Sequence, residues 1–132
     1  MVELRLMQPL AQAFAVLCLL GAPALAHHSF GAEYDGKRPV SISGVVTKIE
    51  WSNPHVYLTV DASDAAGKVT TMMVEGHPPN ILRRTGWTRD VLKVNDHISI
   101  TGWASKDGSE RMAGREVTFP DGKKLFLGPP SE

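Results

Sequence analysis

Histidine is the residue type in this sequence whose positions suggest chemistry, and two of the five histidines come directly after a predicted cleavage site. Ala24, Leu25 and Ala26 form the small-x-small pattern that signal peptidase reads, so cleavage after Ala26 would make His27 the first residue of the mature chain. A terminal histidine can chelate one metal ion through its amine and its imidazole Nδ1, and another imidazole can complete the site. Nitrogen ligands of this kind suit copper(II). The position therefore predicts a copper chelate at His27.

Three more histidines are candidate ligands for the same ion. His28 follows directly, His55 begins a predicted strand, and His77 lies in a loop before two prolines. The aliphatic residues of the predicted strand have the opposite parity to His55, which places this histidine on the more polar face. The predicted metal ligands are thus His27, His28, His55 and His77.

Each histidine also has a structural alternative. A frayed mature terminus would leave His27 and His28 solvated. His55 could cap the end of a strand, with its ring packed beside an aromatic neighbour, and His77 could be a solvent-facing loop residue. His97 is predicted to be an exposed strand residue.

The leader is predicted to be a cleaved signal peptide over residues 1–26. Its apolar run, residues 10–20, is shorter than the roughly 20 residues of a bilayer span. Leu17 precedes Cys18 where a lipoprotein signal requires a small residue. Cleavage would remove this single cysteine and leave no disulfide. We expect a periplasmic or secreted protein without a stable membrane anchor.

Composition and motifs favour binding over catalysis. The chain has 14 basic and 14 acidic residues and no block of like charge, so nothing favours nucleic acid as a partner. The sequence contains no Gly-x-Ser-x-Gly elbow, no glycine-rich phosphate loop and no His-Glu-x-x-His helix. We expect a protein that is not an enzyme.

The patterning of the mature chain is mostly that of β-strands. Strands are predicted at Val40–Trp51, around Val56 to Val60, at Val69–Glu75, around Ile98 and Ile100, at Ala113–Phe119 and at Lys124–Leu127, with one helix at Asn80–Thr85. In the first strand the alternation changes phase near Gly44. This change predicts a bulge or bend that would let one long strand serve both halves of a small barrel.

This order of elements predicts a mainly β, OB-fold-like Greek-key barrel of five or six strands over residues 40–127. The alternative is a small β-sandwich. An N-terminal arm over residues 27–39, docked through Phe30 and Tyr34, would precede the barrel, and a loose tail over 128–132 would follow it. Glu33, Asp35 and Glu75 are expected to be solvated carboxylates.

Four segments together resemble a family of small exported bacterial proteins of unknown function. They are His27-His28-Ser29-Phe30, Trp51-Ser52-Asn53-Pro54-His55, Gly86-Trp87-Thr88-Arg89 and the turn Asp107-Gly108-Ser109. The resemblance covers essentially the whole mature chain. It implies that His27, His28 and His55 match the family pattern, whereas His77 and Asn95 depart from it.

Two functions are compatible with these observations. The first is periplasmic copper handling, by storage, delivery or sequestration, through the His27 amine and imidazole together with His55, with His28 as an alternate or additional ligand. The second is a metal-free OB-like module that uses its polar face and the loop over residues 51–55 to hold a periplasmic protein partner or a small ligand.

Overall fold

The computed structural model describes residues 30–128, which form six strands and two short helices. The elements are α1 (Phe30–Glu33), β1 (Tyr34–Trp51), β2 (Val56–Ser63), β3 (Val69–Glu75), α2 (Pro79–Arg84), β4 (His97–Ser105), β5 (Arg111–Thr118) and β6 (Lys124–Phe126). The predicted signal peptide, His27, His28 and residues 129–132 of the predicted tail lie outside this range. No helix within it has the length and apolar character needed to cross a bilayer.

The six strands form one sheet that closes on itself. Their order is β3-β2-β1-β4-β5-β6, with antiparallel neighbours, and a parallel pairing of β3 with β5 joins the two sides of the ring. This pairing starts β5 at Arg111, earlier than the predicted Ala113. The predicted mainly β class is confirmed. The described strands make a single sheet, whereas a sandwich needs two.

Strand β1 is long because it pairs with two partners in succession. Its segment Tyr34–Val45 pairs with β4, and Gly44–Trp51 pairs with β2, so one strand serves both halves of the sheet as predicted. The strand begins at Tyr34 rather than at Val40, so the predicted arm is shorter than residues 27–39. The early part lacks hydrophobic alternation, because residues 36–39 are exposed and the register with β4 shifts between Tyr34 and Pro39.

The bulge in β1 lies between Val46 and Lys48, so the prediction of a bulge at Gly44 is wrong. Val46 is completely buried, which shows that the first parity continues past the glycine. Gly44 has another role, since a Cβ atom built there would lie 2.1 Å from the backbone oxygen of Asp61. Glycine is therefore needed where β1 is paired on both sides and β2 approaches closely.

The alternation of β2 sets both the core and the site face. Val56, Leu58 and Val60 have exposed fractions of 0%, 1% and 0%, as predicted, and pack against residues from the other strands and α2. Successive side chains of a strand point to opposite faces. His55 and Tyr57 therefore lie on the other side of the sheet from this core, and both are half-buried.

Helix α2 follows the end of β3, and the chain then returns against the sheet. The helix has proline at its first turn and ends before Gly86, whose φ of 98° favours glycine, as the sequence predicts. The buried Trp87 donates a 2.6 Å hydrogen bond from Nε1 to the Phe126 carbonyl. The other helix, α1, was not predicted, because four residues are too few to show helical periodicity.

A candidate metal site at the end of strands β2 and β3

His55 and His77 lie just beyond the paired ends of β2 and β3. The backbone N–H of Gly76 donates to the Val56 carbonyl over 2.8 Å, and that of Val56 donates to the His77 carbonyl over 3.3 Å. Val56 is therefore bonded to both Gly76 and His77, so the register of β2 and β3 does not continue regularly past Glu75. The two predicted ligands are thus on neighbouring chain segments at the same end of the sheet.

Both rings line one cavity of about 130 Å³. The other residues lining the cavity are Phe30, Glu33, Tyr34, Glu75, Gly76, Ala113, Gly114 and Gly128. The wall therefore combines two imidazoles and two carboxyl side chains with the aromatic ring of Phe30. A cavity of this size has room for an ion.

His55 is held by its Nδ1 atom. This nitrogen lies 3.0 Å from the Gly76 carbonyl oxygen and 3.5 Å from Oε1 of Glu75. The ring also packs edge-on to Tyr57, with the ring centroids 6.4 Å apart. These contacts leave Nε2 as the nitrogen that is available to another partner.

His77 is half-buried and is fixed through its backbone. Its N–H donates a 2.7 Å hydrogen bond to the Leu127 carbonyl. Burial lowers the pKa of His77, because it disfavours the charged form of the ring. The nearby His55 lowers this pKa further, because two positive rings would repel each other. The neutral imidazole favoured in this way is the form that binds a metal ion.

Glu75 is the centre of a polar cluster beside the two histidines. Its Oε2 accepts a 2.7 Å hydrogen bond from the Tyr34 hydroxyl and lies 3.5 Å from Nη2 of Arg111. Arg111 also lies 3.7 Å from Oε2 of Glu33. Burial and the bond to Glu75 raise the pKa of Tyr34, which therefore stays a hydroxyl donor. Arg111 thus lies between the carboxylates of Glu33 and Glu75.

The segment preceding β1 is anchored at the mouth of the same pocket. Phe30 packs edge-on to Trp103 with centroids 5.3 Å apart and lies 5.7 Å from the ring of Tyr34. The N–H of Lys106 donates a 2.9 Å bond to the Glu33 carbonyl, and the ammonium group of Lys106 donates to the backbone of α1. Phe30 and Tyr34 thus pack beside Trp103 of β4, as predicted for these two residues, and hold the described part of the arm there.

The described residues supply part of a ligand set. Within residues 30–128, no three His, Cys, Asp or Glu side chains are grouped closely enough to hold a metal ion. His55 and His77 share the pocket, whereas His97 is exposed on β4, as predicted. A complete site would need donors from outside this range, and His27 and His28 are the predicted ones.

The prediction that Glu75 is solvated is wrong, since only 16% of its side chain is exposed. A signal for its position was present, because Glu75 follows the aliphatic Val74 in β3 and therefore points to the face opposite the core, where Tyr57 also lies. Tyr34 and Arg111 had no such signal. They lie 41 and 36 positions from Glu75, and only the folded sheet brings them to it.

The fold and the site define a small, mainly β domain with two histidines beside a cluster of half-buried charged groups and the buried Tyr34. The chain belongs to a family described as a family of unknown function (DUF6152), which it matches over residues 15–114. The predicted membership of a family of unknown function is thereby confirmed. No curated protein of known function matches the chain.

Proposed function

We propose that the mature protein binds one copper ion and serves in periplasmic copper handling, by storage, delivery or sequestration. The ligands are the His27 amine and imidazole together with His55 and His77, with His28 as an additional or alternate donor. One observation carries the proposal: Phe30, three residues after His27, lines the same cavity as His55 and His77.

The charges around the cavity support a cation as its occupant. The side chains of Glu33 and Glu75 line the cavity, whereas its lining residues within the described range 30–128 include no lysine or arginine. A positive ion entering a half-buried site of this kind is stabilised because screening by solvent is incomplete there.

The donor chemistry supports copper over other divalent ions. Imidazole and amine nitrogens are intermediate ligands, and among first-row divalent metals copper(II) binds such sites most tightly. The predicted mature chain has no cysteine, so a thiolate site of the structural zinc type is excluded for it.

The terminal amine is tested with two chains that differ by one residue. The first begins at His27, and the second retains Ala26 before it. Copper(II) binding is measured by calorimetry and by electron paramagnetic resonance. For the first chain we expect one copper ion to bind tightly and to show nitrogen hyperfine structure. For the second chain we expect binding that is at least about tenfold weaker, because loss of a ligand's hydrogen-bonding partner already weakens metal binding by about that factor. Equal binding by the extended chain would rule out the amine as a ligand.

The pocket histidines are tested by single substitutions in the chain that begins at His27. His55→Ala and His77→Ala should each weaken copper binding. The matched control is His97→Ala, because His97 is exposed on β4 and does not line the cavity. If the pocket variants bind copper as the control does, the cavity is not the metal site. If the natural sequence itself binds no copper, the metal-free binding module is favoured.

A further inference from the structure

We infer that Glu75 is a positioning residue for the proposed copper site: it holds the His55 ring with hydrogen on Nδ1 and thereby selects Nε2 as the metal-binding atom. The inference rests on the proposed function, because a metal-binding atom matters only if copper binds. The contacts of Glu75 that support it are those of the protein without metal.

The hydrogen-bond partners of His55 assign its tautomer. A carbonyl oxygen can only accept, so the 3.0 Å contact from Nδ1 to the Gly76 carbonyl requires a hydrogen on Nδ1 in the neutral ring. The Oε1 atom of Glu75 lies 3.5 Å from the same nitrogen, which is longer than an ordinary hydrogen bond, and acts on this hydrogen through its negative charge. Both neighbours favour Nδ1–H, and the lone pair of the neutral ring is then on Nε2.

The two oxygens of Glu75 have separate partners. Oε2 is held by the Tyr34 hydroxyl at 2.7 Å and lies 3.5 Å from Arg111, while Oε1 is the oxygen that faces His55. The carboxylate is therefore fixed on one side and directed toward the imidazole on the other. A carboxylate or carbonyl that accepts from the second nitrogen of a ligating histidine orients the ring and increases its basicity as a ligand.

The same carboxylate connects His55 to the segment that carries the terminal histidines. Tyr34 directly follows α1, and Arg111 contacts both Glu75 and Glu33 of that helix. Glu75 thus links the orientation of one ligand to the docking of the segment that leads to the others. Loss of its charge should affect both.

The first measurement uses metal-free protein beginning at His27. Long-range ¹H–¹⁵N correlation spectra, recorded at a pH where His55 is neutral, report which ring nitrogen carries hydrogen. We expect predominantly Nδ1–H for His55 in the natural sequence and a shift toward Nε2–H in Glu75→Gln, which retains the size of the side chain without its charge. The matched control is Glu116→Gln, which removes a half-buried strand carboxylate paired with Lys124 at 3.0 Å.

The second measurement is copper(II) affinity of the same three proteins. Glu75→Gln should bind copper at least about tenfold more weakly than the natural sequence, as expected when a ligating histidine loses such a partner. Glu116→Gln should bind copper as tightly as the natural sequence. A predominantly Nε2–H ring in the natural sequence, or unchanged affinity in Glu75→Gln, would overturn the role of Glu75 while leaving copper binding intact. If the natural sequence binds no copper, the proposed function fails, and the tautomer comparison alone decides whether Glu75 positions the ring.

A second variant guards against incomplete folding of Glu75→Gln. Tyr34→Phe leaves the carboxylate in place but removes its 2.7 Å anchor. We expect a smaller change in the same direction in both the tautomer population and the affinity. If neither Glu75→Gln nor Tyr34→Phe changes the tautomer population or the copper affinity, the inference is contradicted.

Discussion

The hydroxyl of Tyr34 donates a 2.7 Å hydrogen bond to Glu75, which joins the first residue of β1 to the last residue of β3. These residues are 41 positions apart, and only 4% of Tyr34 is exposed. The bond closes the polar cluster at the point where the chain enters the sheet. It is therefore both a structural link and a boundary of the histidine pocket.

Removal of this bond should destabilise the protein. Tyr34→Phe removes the 2.7 Å hydrogen bond of a half-buried carboxylate and leaves it only the longer contact with Arg111, and hydrogen bonds to charged groups contribute about 1.5–3 kcal/mol. We expect the free energy of unfolding, measured in urea, to fall by about 2 kcal/mol. Tyr57→Phe is the control, because the Tyr57 hydroxyl is not the donor of this bond. Equal stability losses in the two variants would contradict the special role of the Tyr34 hydroxyl.

Gly44 is expected to be intolerant of even a methyl group. In Gly44→Ala the added Cβ would lie 2.1 Å from a backbone oxygen of Asp61, and a backbone atom cannot move aside without breaking the ladder. The variant should lose more than about 3 kcal/mol of stability or fail to fold, since overpacking at this severity exceeds the usual cost. Gly31→Ala is the matched control, because no atom lies within 4 Å of its added Cβ. A folded Gly44→Ala protein with the stability of the control would show that β1 and β2 separate easily.

Asp107 should make stability depend on pH in the acid range. Hydrogen bonds from the Ser109 hydroxyl and N–H lower the pKa of Asp107 from its ordinary 3.8 to about 2. Because the pKa is lower in the folded state, the contribution is complete above about pH 4 and is lost as the pH falls toward about 2. The stability difference between the natural sequence and Asp107→Asn, from urea midpoints, should therefore shrink over this interval.

The exposed Asp90→Asn is the control for removing one negative charge. A difference for Asp107→Asn that stays constant from pH 6 to about pH 2 would contradict the coupling to Ser109.

Copper should stabilise the folded mature chain, because the proposed ligands are brought together only by folding. A ligand that binds the folded state alone adds about 2.7 kcal/mol at about 100 times its Kd. We expect this increase in the free energy of unfolding for the chain beginning at His27, with reversal by a chelator. His55→Ala should show little or no increase. Equal stabilisation of that variant would indicate that copper binds elsewhere.

Local sequence patterns predicted the strands and helix α2, and they placed His55 on the face of β2 where the site lies. Alternation of Val56, Leu58 and Val60 identified β2 and its buried face, and therefore also placed His55 on the opposite face. Prolines before α2 and Gly86 after it marked that helix. These features could be predicted because side-chain period and backbone restrictions act between residues that are close in the chain.

The tertiary structure alone decided which residues surround His55. The start of β1 at Tyr34 depends on pairing with β4, and the position of the bulge after Val46 depends on the register with β2. Arg111 reaches Glu75 because β5 lies parallel to β3. None of these contacts has a local sequence signal, since each arises from the closure of the sheet, which brings together side chains that are far apart in the chain.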